Sequence, residues 1–266
     1  MTEPTTATRK RIAVITGASS GMGREFALAL DREEHFDELW LIARRLERLE
    51  ALSTETRAPV RPIALDLGCQ ADIARYKDLL AAENPDVAVL VNAAGFGKFG
   101  AFEDIPLEDQ LAMIDLNNKA LVAMTYVTLP HMQVGGRVYE LGSLSSFQPV
   151  PYINTYAASK AFVLSFSRAL NQEMKTKHRG IRVMAVSPGW VRTEFFDRAV
   201  HDDTIRYYDR FYTARGYIRL QAADESVVTL EFDEITNSIS TVVPILPPVQ
   251  TVDGVTAEKE CWTPIT

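Results

Sequence analysis

Residues 11–23 read Arg-Ile-Ala-Val-Ile-Thr-Gly-Ala-Ser-Ser-Gly-Met-Gly. A β-branched run, residues 11–16, leads directly into glycines. Beyond them, residues 21–34 carry Phe26, Leu28, Ala29 and Leu30 at helical spacing. A strand that delivers its end to a glycine turn opening a helix is half of a βαβ unit. Gly17 lets the chain turn sharply, while Gly21 and Gly23 let backbone approach a phosphate and let helix pack close to sheet. The start of the helix then offers unpaired N–H groups and its positive dipole end to a pyrophosphate. Ser19, Ser20 and Met22 belong to the same turn. The competing reading is a glycine-rich turn that holds no ligand.

Outward from this stretch, strand and helix signals alternate. Strands are expected at residues 38–43, 60–65, 86–92, 137–142 and 181–187, and helices at 46–55, 71–82, 107–132 and 156–177. Strands separated by helices of this length imply a parallel sheet covered on both faces. Right-handed crossovers make it a doubly wound α/β fold. No repeat or linker divides residues 1–266, so one domain is expected. The last third reads differently. Residues 194–217 contain Phe195, Phe196, Tyr207, Tyr208, Phe211, Tyr212 and Tyr217, which read equally as core or as a substrate lid. Residues 227–230 and 235–246 are β-prone, but Pro244, Pro247 and Pro248 interrupt any long element.

Of the 266 residues, 47% are hydrophobic and 24% charged, an ordinary globular composition. A formal net charge of −7 argues against a nucleic-acid binder. Cys69 and Cys261 are too few for a disulfide framework and have no metal-ligand spacing around them, which fits a reducing, cytoplasmic setting. Residues 1–10 are polar, so no secretory signal is expected. No run approaches the ~18–20 apolar residues of a membrane span.

Three further places carry chemistry. In dinucleotide-binding folds an acid at the end of the second strand holds the ribose 2′-hydroxyl of NAD. Here Ala43, Arg44 and Arg45 stand instead, and a guanidinium suits a 2′-phosphate, which favours NADP(H). The bland reading makes them solvated helix-start charges beside Glu47. Tyr156 and Lys160 lie four apart, on one helix face. A cation beside the phenol is expected to lower its pKa and let it give or take a proton, although an ordinary surface pair has the same spacing. Ser143 follows the strand at 137–142, where doubly wound folds place ligands. Ser145 and Ser146 compete with it, and a turn serine is the plain alternative.

Taken together these residues resemble the short-chain dehydrogenase/reductase family from about residue 11 to residue 193. The resemblance rests on the Thr16–Gly23 glycine string, Asp66 after the third strand, and Asn92-Ala93-Ala94-Gly95 after the fourth. It also rests on Asn117, on Ser143 thirteen residues before Tyr156, on Lys160, and on Pro188-Gly189 followed by Thr193. It implies a tetrad of Asn117, Ser143, Tyr156 and Lys160. Tyr156 would be the acid/base and Ser143 would orient the carbonyl or alcohol. Lys160 would bind the nicotinamide ribose and tune the tyrosine, and Asn117 would hold a relay water. Asp66 would contact adenine with the Leu67 backbone beside it. Asn92 would brace the sheet near the cofactor, and Pro188, Gly189, Val191 and Thr193 would line the nicotinamide end. The helices carrying Asn117 and Tyr156 would be homodimer or homotetramer surfaces. The apolar surplus of Leu111, Ile114, Leu121, Val122 and Met124 agrees with that. Residues 222–266 depart from the family's closing strand.

The expectation is therefore an NADP(H)-dependent oxidoreductase acting on a small carbonyl or alcohol. The alternatives are an NADP(H)-binding sensor or scaffold without turnover, and an epimerase or dehydratase on the same scaffold. His35, His131, His178 and His201 read as surface or turn residues, Cys69 as a buried or helix-start thiol, and Trp40 as core.

Overall fold

The computed structural model describes residues 9–199 in full and, beyond them, the backbone of six short strands between residues 212 and 256. Six strands form one parallel sheet: β1 (Arg11–Thr16), β2 (Glu38–Ala43), β3 (Val60–Ala64), β4 (Asp86–Asn92), β5 (Arg137–Leu141) and β6 (Arg182–Val186). Their spatial order is β3-β2-β1-β4-β5-β6. The connecting helices are α1 (Gly21–Glu33), α2 (Leu46–Ala51), α3 (Gln70–Glu83), α4 (Leu107–Ile114), α5 (Leu121–Thr128) and α6 (Asn154–Thr176).

Two-residue periodicity divides the core between the two faces of the sheet. Ala13, Ile15, Leu39, Leu41, Val89 and Val91 pack with Phe26 and Leu30 of α1 on one side. Ile12, Val14, Trp40, Ile42 and Leu90 meet Tyr76, Leu80, Met124 and Met174 on the other. Trp40 is core, as expected, and the Arg61 guanidinium covers its ring at 4.7 Å. Helix α3 stops where Asn84 turns left-handed (φ 43°) ahead of Pro85.

One expectation needs correction. The continuous helix over residues 107–132 is broken into α4, a π turn at Asp115–Ala120, α5 and a 3-10 turn at Leu129–His131. Asn117 and Asn118 lie in the π turn and direct their side chains inward to polar partners rather than along an α-helical face. Such insertions accompany functional sites. The apolar surplus of this region is split. Leu121 and Met124 are buried, whereas Leu107, Leu111 and Ile114 are exposed on α4, as is Phe162 on α6.

Past residue 199, β8 (Tyr212–Thr213) runs parallel to β7 (Val191–Arg192). Strands β9 (Leu220–Asp224), β10 (Val227–Phe232) and β11 (Ile239–Thr241) form an antiparallel ribbon separate from the main sheet. The β-prone stretches thus supply β10 and β11. Tyr207, Tyr208, Phe211 and Tyr217 lie outside the described residues. No described helix is long and apolar enough to cross a membrane.

Candidate active site

The strand order reverses between β1 and β4, and ligands of doubly wound sheets bind outside the strand ends at such a point. There the two loops are clamped together. Thr16 Oγ1 accepts from the N–H groups of Ala93 and Ala94, both at 3.0 Å. Gly17 has φ +66°, and a Cβ on it would stand 2.8 Å from the Ala93 and Ala94 backbone. A Cβ on Gly23 would stand 2.5 Å from the Gly17 carbonyl oxygen. Side chains are excluded at both positions by backbone, so the turn stays tight and α1 begins at its edge. Ser20, the N-cap of α1, makes no side-chain hydrogen bond to the helix amides. Its hydroxyl instead accepts from Arg45 at 3.2 Å, as does Ser19 Oγ at 3.1 Å. Gly21, Met22 and Gly23, the first residues of α1, line the crevice, and the uncapped amides of a helix start suit a pyrophosphate.

The crevice, of about 1530 Å³, runs from this glycine cradle along the strand ends. Every site residue expected from the sequence lines it except Asn92 and Asn117. Arg44 and Arg45 stand at one end, near Asp66 and Leu67. Arg44 is exposed, and Arg45 reaches across Ser19 and Ser20 toward Glu194. Cys69 is an exposed thiol at the start of α3 on the same rim.

At the other end, Ser143 caps the 3-10 turn Leu144–Phe147, and its hydroxyl lies close enough to Tyr156 to favour the ionised phenol. The structure separates the three serines. Ser146 Oγ donates to the Lys160 carbonyl (2.9 Å) and accepts from Ser143 N–H (3.2 Å), and Ser145 is buried. Ser143 is the one beside the phenol. Lys160 is buried, and its Nζ donates to the Leu141 carbonyl at 2.7 Å, 5.7 Å from the centre of the Tyr156 ring. The lowering of the Tyr156 pKa expected from the lysine is outweighed. Burial pushes the phenol up to about 12, opposed by the Ser143 hydroxyl. Burial likewise brings Lys160 down to about 8, opposed by Glu140 when that acid is ionised. Burial thus favours the protonated phenol at Tyr156.

Asn117 is 1% exposed. Its Nδ2 donates to Phe96 O (2.9 Å) and Ser159 Oγ (3.0 Å), and its Oδ1 accepts from Phe96 N–H (3.0 Å). Both polar atoms of its side chain are therefore engaged in locking the 95–97 loop to α6, so a relay water would have to use backbone. Phe99, Tyr156, Trp190, Phe195 and Phe196 form an aromatic wall, with the Tyr156 and Phe195 ring centres 5.6 Å apart. Gly97 admits this contact, since a Cβ there would lie 2.9 Å from both rings. Phe195 and Phe196 are therefore wall residues packed beside Tyr156.

Beneath the crevice lies a residue that the sequence reading passed over. Glu140 is fully buried in β5, opposite Asn92 in register. Asn92 Nδ2 donates to Glu140 Oε2 (3.0 Å) and Thr125 Oγ1 (2.9 Å). Thr125 Oγ1 lies 2.7 Å from Glu140 Oε1 and 2.8 Å from the Leu121 carbonyl. A hydroxyl has one proton and cannot serve both oxygens. Both distances are satisfied when Glu140 is a neutral acid that donates to Thr125, which then donates to Leu121. Burial pushes this carboxyl up to about 7, opposed by its Thr125 and Asn92 hydrogen bonds and by Lys160. The available signal was an acid set between Tyr139 and Leu141 in the interior of a strand expected to be buried.

Comparisons with known proteins agree with this geometry. Residues 11–204 match the sequence profile described as short chain dehydrogenase. The chain is 36% identical over 193 residues to sulfoacetaldehyde reductase 2 of Chromohalobacter salexigens, covering 69% of this chain and 74% of that one. It is 36% identical over 188 residues to an NADP-dependent 3-hydroxy acid dehydrogenase of Salmonella typhi, with the same coverage. Among solved structures, a short-chain dehydrogenase from Sphingobium yanoikuyae in complex with NADPH superposes with a TM-score of 0.66 at 32% identity, covering 76% of this chain and 79% of that one. The closed form of serine dehydrogenase complexed with NADP+ gives 0.63 at 33% identity, covering 70% and 75%. A parallel sheet with its crevice at the β1/β4 reversal, a glycine cradle at one end and a Ser–Tyr–Lys cluster at the other, together with these matches, place the chain in the short-chain dehydrogenase family of oxidoreductases.

Proposed function

We propose that the protein transfers a hydride between NADP(H) and a carbonyl or secondary-alcohol substrate, with Tyr156 as general acid/base. The observation that carries this reading is the gathering of Ser143, Tyr156 and Lys160 at the crevice end, with the buried Lys160 amine on the ring side of the phenol. The glycine cradle would hold the pyrophosphate, with Ala93–Gly95 as its opposite lip. Arg44 and Arg45 would hold the 2′-phosphate, and Asp66 and Leu67 the adenine. Pro188, Gly189, Val191 and Thr193 would face the nicotinamide, and Lys160 its ribose. Bound NADP(H) supplies the hydride for reduction and accepts it in oxidation.

The protein's part is to handle the proton and the oxygen. Ser143 holds the substrate oxygen, and the Tyr156 hydroxyl gives its proton to the developing alkoxide. Asn92 braces the sheet and Asn117 positions the 95–97 loop. The aromatic wall favours substrates with an apolar group beside the carbonyl. A panel of aldehydes and ketones with NADPH, followed by absorbance, tests the activity. NADPH consumption with at least one of them is expected, and tight NADPH binding without consumption would favour the sensor reading.

NADPH is expected to bind more tightly than NADH. Hydrogen bonds to charged groups contribute about 1.5–3 kcal/mol, so Arg45→Ala should weaken NADPH roughly 10–100-fold and leave NADH little changed. Arg44→Asp should shift preference toward NADH. A wild-type affinity ratio of one, measured by fluorescence titration, would sink the arginine assignment.

The exposed apolar face of α4 and α6 supports a homodimer or homotetramer. Light scattering after gel filtration should give one of those masses, and a monomer would overturn it.

A further inference from the structure

Three consecutive residues after β7 touch three different parts of the crevice. A Cβ on Gly21 would lie 3.3 Å from the Thr193 side chain, so Thr193 sits over the start of α1. Glu194 places both carboxylate oxygens on Arg48, at 2.7 and 2.8 Å, and one of them 3.4 Å from Arg45. Phe195 packs on the Tyr156 ring. The segment is thus a strap across the crevice, tied at Glu194 to the end where β2 meets α2. The acid is held ionised below its ordinary range by hydrogen bonding to Arg48. Arg45 is the same side chain that bridges Ser19 and Ser20.

We propose that Glu194 is a cofactor-discriminating residue: its carboxylate occupies the Arg45–Arg48 pair and competes there with the 2′-phosphate of NADP(H). This rests on the assignment of Arg45 to the 2′-phosphate. A phosphate monoester brings about −1.5 to −2 charge and three acceptor oxygens, against the single charge of a carboxylate. It therefore outcompetes Glu194 for the guanidiniums and repels it. Release of Glu194 unties the strap, and Phe195 is one residue along it. A ligand with a 2′-hydroxyl displaces nothing and leaves the strap tied. Glu194 thus lowers the preference for the phosphate that the arginines confer, while adding a second difference between the two cofactors. The arginines attract the phosphate, and the strap is freed only by a ligand that carries one.

The test isolates the 2′-phosphate from the rest of the cofactor. Binding of adenosine 2′,5′-bisphosphate and of 5′-AMP is measured by calorimetry on wild type, Glu194→Gln and Arg45→Ala. The three ion-pairing side chains are partly exposed, so Glu194→Gln should fold normally. With its competitor neutralised, the Gln variant should bind the bisphosphate about three- to tenfold more tightly at low salt, with 5′-AMP unchanged within twofold. Arg45→Ala should weaken the bisphosphate alone. If Glu194→Gln leaves bisphosphate binding unchanged, weakens it, or tightens both ligands equally while Arg45→Ala still weakens it, the competition is refuted and the phosphate assignment stands. If wild type binds the two ligands equally and Arg45→Ala changes neither, both readings fall together.

Discussion

Tyr156→Phe is expected to lower turnover about 10³-fold or more while NADPH binds within about twofold of wild type. The substitution removes one oxygen from a ring already packed against Phe99 and Phe195, so the wall and the crevice keep their shape. What is lost is the proton donor. General acid catalysis contributes typically 10²–10⁴-fold, which is about 3–5 kcal/mol of barrier. Tyr156 belongs toward the upper end of that range because its proton is held by burial and the only described neighbour lowering its pKa is Ser143. Burial also gives the pH dependence a sign. With the phenol pushed up to about 12, the donor form persists across the neutral range, so carbonyl reduction should not decline through loss of the Tyr156 proton below pH 9. Alcohol oxidation needs the acceptor form and should rise with pH. Steady-state rates in both directions, paired with NADPH fluorescence titration, read these outcomes. Normal rates in the Phe variant would remove Tyr156 from the chemistry.

Glu140→Gln is expected to stabilise the protein at pH 8 by at most about 3 kcal/mol, reduced by what the buried Lys160 ammonium loses with its neighbouring carboxylate, and to have almost no effect at pH 4.5. The ordinary value for this carboxyl is 4.5, and burial raises it to about 7 in the folded chain. The native state therefore holds the proton more tightly than the unfolded state does. Its contribution to stability is complete below about pH 4.5 and is lost as pH rises through 7, an interval worth about 3 kcal/mol. A glutamine is the uncharged counterpart of the neutral acid. Its amide donates toward Thr125 Oγ1 while its oxygen accepts from Asn92, which preserves the hydrogen bonds of the site. Thermal melts of both proteins from pH 4.5 to 8 test this, with a gap of several degrees opening toward pH 8. If glutamine destabilises the protein at every pH, Glu140 is an ionised carboxylate satisfied by Thr125 and Asn92 in the folded protein.

The two predictions concern residues of opposite legibility. Tyr156 was readable because its partners lie close in sequence: Lys160 is four residues along a helix, and Ser143 lies thirteen residues before it on the adjoining strand end. Its acidity was not readable. Spacing puts an ammonium nearby, but only packing shows that Nζ is turned to the Leu141 carbonyl and that burial dominates. Asn117 shows the same division. Its position in a long helical stretch was evident, while the π turn and its engagement with Phe96 and Ser159 were not, because neither partner has a local signature.

What the chain of residues determined by itself was local. Gly17, Gly21 and Gly23 follow from backbone geometry within one turn, the strand–helix alternation follows from periodicity, and both demand a doubly wound sheet. What only the tertiary structure decided depends on residues made neighbours by the strand order. Asn92 meets Glu140 because β4 pairs with β5. Glu194 meets Arg45, 149 residues earlier, because the segment after β6 folds back across the crevice to the end of β2. A buried proton and a charge competition are properties of such assembled surroundings, where desolvation and pairing set the energies, and the residue types alone do not carry that information.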